Sequence, residues 1–437
     1  MSAGVALLVF ILAFVIFSMV LKVPVSFGLA IASLFVYLGT NMNPITVAQY
    51  SFASLDSFAL LAIPFYIFAG VLMEYSGISK LVVNWIQSII GRIRGSLGII
   101  CTVTCMAFGV LTGSAMATIS AIGKVMAPEM DKDGYPKSYT AALLAATCFL
   151  GILIPPSVPG IMYALASDSK ISDVWMATVG PALVFMVGYI IVNYLRIGRH
   201  RPKGAKVHAS VAEYATNVCK TTVRTFPALL MPIIIYGCIY GGICTPTEAG
   251  ALSAVYGIIY FIILKIIDRK AISISLWEVA AISGASTAAI GLLNAFSTVA
   301  GKAITMSGVS NFLSNLITSN INSRAVFLLM INILFLFLGM FLDINAAVLI
   351  MTPLLLPVAK TYGITAVHFG AILLVNMSVG FMTPPFALGT FVGTKITGAG
   401  YGETVKESIP FIIVGLVAII ITTCFPEYVM FFVNILS

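Results

Sequence analysis

Two stretches of this 437-residue chain place adjacent prolines inside apolar segments, GILIPPSVPG at 151–160 and GFMTPPFALG at 380–389. The first lies in an apolar run from 139 to 166, long enough to cross a bilayer. Proline lacks a backbone donor and pushes the residue before it out of helical space, so each pair must interrupt a helix. An interrupted helix exposes carbonyls on one side of the break and amides on the other. Carbonyls suit a small hard cation, and the helix N-terminus beyond the break suits an anion. Gly151 carries a carbonyl that loses its usual donor to Pro155, and Gly380 stands in the same relation to Pro384, with Thr383 adding a hydroxyl. Two further apolar stretches supply polar partners: Thr112 and Ser114 in GVLTGSA, and Asp343 and Asn345 in GMFLDIN. The chemistry within reach is ion and anion binding.

Four ionisable positions bear on that reading. Asp343 is a functional candidate because it is charged inside an apolar segment, and it also has the placement of a half-helix cap. Glu248, in TPTEAG, reads as a capping-box residue at an external loop. Lys302 and Arg324 flank an external arm, where they can snorkel, contact phospholipid or meet an anion.

The elements that must position these residues are membrane helices. The chain is 60% hydrophobic and 9% charged, with a mean hydropathy of +1.08. Apolar stretches recur from end to end and are continuous rather than alternating, which argues for a polytopic all-α membrane protein and against a β-barrel. The opening MSAGVALLVFILAFVIFSMV has no basic n-region, so it reads as a first span rather than a cleaved signal.

Charge in the loops sets the topology. The net charge of +8 is mainly a positive-inside bias, which needs no nucleic-acid partner. Spans at 3–21, 24–40 and 55–75 put the N-terminus outside and Lys80, Arg92 and Arg94 inside. If 97–123 crossed the bilayer, the loop 196–206 would lie outside with five basic residues and no acid. A re-entrant hairpin over 97–123 removes that conflict, with the small residues of GVLTGSA at its tip. The second half follows the same plan upside down. Spans fill 226–300, an arm 301–324, a hairpin 325–358, a broken helix 366–394 and a span 408–430, which returns the C-terminus to the outside.

The chain thus reads as two inverted repeats, 1–206 and 226–437, joined by a cytoplasmic connector at 207–225. In the first repeat the scaffold spans 3–75 are followed by an arm (76–96), the hairpin, a broken helix (139–166) and a span (174–195). Aligning 139–160 with 368–389 gives six identities in 22 positions, among them Gly151/Gly380, Pro155/Pro384, Pro156/Pro385 and Gly160/Gly389. Inverted repeats with matching broken helices point to a secondary transporter whose site lies at the midplane.

Enzymatic and ATP-driven readings find no support in the residues. No phosphate-binding loop, metal spacing or nucleophilic triad occurs. His200, His208 and His368 are far apart in sequence and lie in or near loops. The seven cysteines, Cys101 and Cys105 included, read as small buried apolar residues.

GGICTPTEAG (241–250), GMFLDINAAVLIMTPLLLPVA (339–359), GILIPPS (151–157) and TPPFALGTFV (383–392) together resemble the DctM-like large membrane subunit of tripartite ATP-independent periplasmic (TRAP) transporters. The resemblance implies a sodium-driven, elevator-type importer of small carboxylates such as C4-dicarboxylates or sialic acid, multi-pass in a bacterial inner membrane. It implies a DctQ-like small membrane subunit and a periplasmic binding protein as partners. Carried over residue by residue, a first sodium site maps to Gly109, Thr112, Gly151, Ile154 and Pro155. A second maps to Gly339, Gly380, Thr383 and Phe386. A carboxylate would then sit near Ser114, Ser157 and Asn345, with Asp343 beside it and the amide ends after Pro156 and Pro385 meeting its charge. One departure is visible: the first tip commonly reads Gly-Ser-Ser-Pro-Ala-Thr in the family, whereas here it is GSAMAT, with Ala115 and Met116 replacing a serine and a proline. A stand-alone sodium/dicarboxylate symporter of similar design is the alternative, and a channel is a more distant one.

Overall fold

The computed structural model describes residues 1–91, 95–197, 211–267, 272 and 274–436. Arg92, Arg94, the basic stretch 198–206 with His200, His208, and residues 268–270 lie outside the described residues. All regular structure among the described residues is helical. Seven of these helices are long and apolar enough to cross a bilayer, and Lys137–Leu153 with Val158–Ser167 forms an eighth, bent by 47°. The chain is a multi-pass membrane protein.

Seven consecutive helices of the first half match six of the second, the matching elements starting 228 to 231 residues apart. Each set opens with a surface arm, Ile78–Ile90 or Val309–Asn320, entered through a left-handed glycine, Gly77 (φ +70°) or Gly308 (φ +75°). The residues around these turns, SGIS and SGVS, are a further trace of the repeat. A helical hairpin follows, Ser96–Thr112 with Ala115–Lys132, or Arg324–Gly339 with Ile344–Thr361. Next comes the interrupted helix: Lys137–Thr147 and Leu150–Leu153 leading to Val158–Ser167, or Ala366–Gly380 leading to Leu388–Thr397. A long helix, Ile171–Ile197 or Tyr401–Cys424, closes each set. The peptide bonds Pro155–Pro156 and Pro384–Pro385 are both cis.

Local chemistry accounts for the turns. Gly113 takes φ +60° to end the first hairpin helix, and Ser114 caps the next by accepting Ala117 N–H at 3.4 Å. In the second hairpin Asp343 is the cap, accepting Asn345 N–H at 2.9 Å. Ser157 starts the helix after the first break by accepting Gly160 N–H at 3.1 Å. Glu248 forms the expected capping box, with its carboxylate accepting Thr245 N–H and Oγ–H, both at 2.8 Å.

The core lies where hairpins and interrupted helices meet. Residues 139–164 are buried without exception, as are 368–382. The scaffold helices Pro246–Ile267 and Leu276–Met306 leave much apolar surface outward, as lipid contact requires.

Several boundaries differ from the sequence reading. Residues 45–55, expected as a loop, form a helix behind Pro44, because proline fits the entry to a helix and nothing further on interrupts it. The first hairpin extends to Lys132 rather than 123, because polar residues alone do not end a helix and Pro128 is accommodated within it. The scaffold helix from Leu276 runs on to Met306, shortening the second arm. His368 is buried in the first turn of a helix, its Nε2 2.8 Å from the Thr422 carbonyl, in a packing role.

Candidate ion and anion site between the hairpin tips

Four glycines singled out in the sequence meet as two backbone contacts. A Cβ built on Gly109 would stand 1.9 Å from Gly151 Cα, and one on Gly380 would stand 2.5 Å from Gly339 Cα. Each hairpin therefore touches its interrupted helix main chain to main chain, a proximity that only glycine permits. The first tip also reaches past the break, since a Cβ on Gly113 would meet the Pro156 carbonyl oxygen at 2.7 Å. Thr112 Oγ1 lies 3.3 Å from Thr118 Oγ1, and Thr118 donates to the Ser114 carbonyl at 2.8 Å, so hydroxyls and carbonyls cluster at this tip.

Both tips open onto one cavity of about 390 Å³. Thr112 and Ser114 enter it from the first hairpin, Asp343 and Asn345 from the second, and Val158 and Pro159 from the helix start beyond the first break. The side-chain oxygen of Asn345 is shielded from solvent and has no hydrogen-bond partner, leaving an acceptor without a donor at the second tip. Scaffold residues close the far wall, among them Gly70, Glu74, Ile282 and Ser286. At Gly70 the scaffold approaches within 3.0 Å of the Thr112 backbone, measured from an added Cβ. Among the described residues, two carboxylates line this cavity, Glu74 and Asp343, and no lysine, arginine or histidine lines it, although Lys124 lies within electrostatic reach of Glu74. Ala115 and Met116, the departures from the family pattern, are in the wall, so they narrow the site with apolar surface.

Other expected residues are placed differently. Ser157 is 1% exposed; its hydroxyl caps its own helix, and its carbonyl accepts Trp175 Nε1–H at 3.1 Å, so it stands behind the cavity wall. The Pro155 carbonyl accepts Tyr236 O–H at 2.6 Å, and the buried Ile154 lies beside it. The second break is more open: Pro385 and Phe386 are exposed, and both carbonyls accept from Tyr401 O–H, at 2.8 and 3.4 Å. Neither residue lines the cavity. Thr383 donates to the Val379 carbonyl at 2.7 Å, while its N–H bonds the Gly380 carbonyl at 3.0 Å. That carbonyl is therefore not bare, although its second lone pair is free for another partner. Glu74, Ser120 and Ser286 are the polar cavity residues that sequence reasoning missed. Glu74 carried a usable signal, an acid at the end of the apolar run that starts at Ala62.

The family profile described as "Tripartite ATP-independent periplasmic transporter, DctM component" matches residues 10–428. The chain belongs to the DctM family. It is 34% identical over 415 residues to the isethionate TRAP transporter permease protein DctMQ of Oleidesulfovibrio alaskensis, covering 95% of this chain and 64% of that protein. It is 32% identical to the C4-dicarboxylate TRAP transporter large permease protein DctM of Pseudomonas aeruginosa, with 86% of each covered. The sialic acid TRAP transporter large permease protein SiaM of Vibrio cholerae is 30% identical, with 93% of this chain and 94% of that one covered. Among solved structures, the Alcanivorax borkumensis YdaH transporter superposes with a TM-score of 0.63 at 14% identity, covering 88% of each chain, which is a likeness of fold. Membership makes this DctM-family chain a transport protein, a TRAP permease, rather than an enzyme.

Proposed function

We propose that this TRAP permease imports a small organic anion in step with sodium ions, using the cavity between the hairpin tips as its substrate site. The observation that carries the reading is the convergence of two tips and one half-helix N-terminus on a cavity lined by two acids and, among the described residues, by no cation. An anion placed beside Glu74 and Asp343 is repelled unless positive charge arrives with it. Sodium held by the carbonyls and hydroxyls around Gly109, Thr112 and Gly151, and around Gly339, Gly380 and Thr383, supplies that charge. Oxygen donors of this kind suit a hard monovalent ion. The positive end of the Val158–Ser167 helix then adds its own attraction for the anion.

In this reading the two halves are inverted repeats, and the hairpins with their interrupted helices move as one unit against the scaffold, in elevator fashion. The substrate belongs to the small carboxylates and sulfonates, the range spanned by the names of the relatives. A periplasmic binding protein delivers it, and a small membrane subunit braces the scaffold in the bacterial inner membrane, with both termini on the periplasmic side. The test is uptake by proteoliposomes containing this chain, its small subunit and its binding protein. An inward sodium gradient should drive accumulation; equal uptake with potassium in place of sodium would overturn the reading.

A further inference from the structure

A second cavity of about 390 Å³ adjoins the first on the scaffold helix Leu276–Met306. The first cavity touches this helix at Ile282, Ser286 and Ile290; the second begins at Asn294 and continues through Ser297, Thr298, Gly301, Lys302 and Thr305. One helical turn, about 6 Å of rise, separates Ile290 from Asn294. Loop charges place the Thr305 end of this helix outside the cell.

The two cavities have opposite electrostatic character. Among the described residues, Lys302 is the one charged side chain lining the second, and no acid lines it. Ser54, Ser57, Asn294, Ser297 and Thr305 add hydrogen-bonding groups. Asn294 is 5% exposed and Ser297 3%, so polar groups line its buried depth as well as its mouth. Asn294 Nδ2 donates to the Ser54 carbonyl at 3.2 Å, tying the Ile45–Leu55 helix to the scaffold around the cavity. Lys302 is exposed, and its Nζ lies over the Tyr50 ring, 5.8 Å from the centroid. The opposite wall comes from the moving parts of the proposed mechanism: Leu165 and Ala166 at the end of the first interrupted helix, and Leu349 and Pro353 in the second hairpin.

We propose that this outer cavity is a second anion site. A small organic anion is held there by Lys302 before it passes to the cation-dependent site between the tips. An exposed cation beside a polar cleft that no acid lines concentrates anions without needing sodium, whereas the inner cavity is lined by acids and must wait for sodium. The proposal rests on the reading that this chain carries organic anions, but its first test does not require transport.

That test uses the complex with its small subunit in proteoliposomes and Thr298→Cys as a reporter, with the unsubstituted chain as blank. Modification at position 298 by an anionic methanethiosulfonate (ethylsulfonate) should outrun the cationic trimethylammonium reagent by about tenfold. Lys302→Gln should abolish that preference and Lys302→Arg should keep it. Absence of a preference, or one that Lys302→Gln leaves intact, would overturn the proposal. The second readout, with the binding protein added, is uptake of whichever of succinate, isethionate and N-acetylneuraminate the complex accumulates. Lys302→Gln should raise its half-saturating concentration about tenfold without moving that of sodium, and Lys302→Arg should restore it. A charge preference with unchanged uptake kinetics would place the cavity off the anion route and refute the proposal. Sodium-independent uptake by the unsubstituted complex, with the Lys302 effects intact, would instead refute the coupling reading and leave the site standing.

Discussion

Gly109 and Gly151 touch through their backbones, with no room for a single methyl between them: an added Cβ on either would lie 1.9 or 2.6 Å from the other's Cα. Gly339 and Gly380 repeat the relationship in the second half. Gly109→Ala must push the hairpin off the break, an overpacking cost of about 1–3 kcal/mol. Because the displaced atoms are the proposed sodium ligands, the variant should lower the melting temperature modestly and lose sodium-dependent uptake almost entirely. Purified-protein melting curves with and without sodium check this: the unsubstituted chain should gain stability from sodium, and the variant should not.

Asp343 holds two roles at once, and two substitutions separate them. Its carboxylate caps the helix that begins at Ile344, and it also lines the cavity. Asparagine caps as well as aspartate, whereas alanine forfeits about 1 kcal/mol. Asp343→Asn should therefore melt like the unsubstituted chain yet alter the sodium dependence of uptake, while Asp343→Ala should change both. Equal transport by the asparagine variant would leave Asp343 as a cap alone.

The sequence made the broken helices and the two tips legible because proline pairs and polar residues in apolar runs have few explanations. The repeat offset singled out Gly151 and Gly380, while Gly109 and Gly339, which they meet, came only from the family resemblance. What it hid was what depends on packing between distant segments. Ser157 was expected at the substrate, yet its hydroxyl is consumed by its own helix start. Pro385 and Phe386 lie at the second break as expected, but outside the cavity, with Tyr401 occupying their carbonyls. Ser286 escaped notice because a serine in a long scaffold helix carries no local signal. Its place in the wall follows from how Leu276–Met306 packs.

Thr383 tests the second ion site with little risk to the fold. Its hydroxyl bonds the Val379 carbonyl one turn back, an interaction that helices do without at small cost. If the oxygen also coordinates sodium, Thr383→Ala should raise the half-saturating sodium concentration severalfold, and Thr383→Ser should restore it. Uptake against sodium concentration is the measurement, and an unchanged curve would remove Thr383 from the ion site.

Glu74 supplies the sharpest test of the charge argument, because it lines the cavity from the scaffold side and lies outside both proposed sodium clusters. Removing its charge leaves Asp343 as the remaining carboxylate in the wall, so an anion there meets less repulsion. At an effective dielectric of about 20, a charge 8 Å away acts with roughly 2 kcal/mol before screening. Glu74→Gln should therefore tighten substrate binding at low sodium by up to about tenfold, a factor that corresponds to 1.4 kcal/mol. It should also flatten the sodium dependence of affinity. Calorimetric titration of the detergent-purified complex at low and saturating sodium reads both effects. Weaker binding in the glutamine variant would mean that Glu74 contacts the ligand directly, and the charge-balance account of coupling would fall.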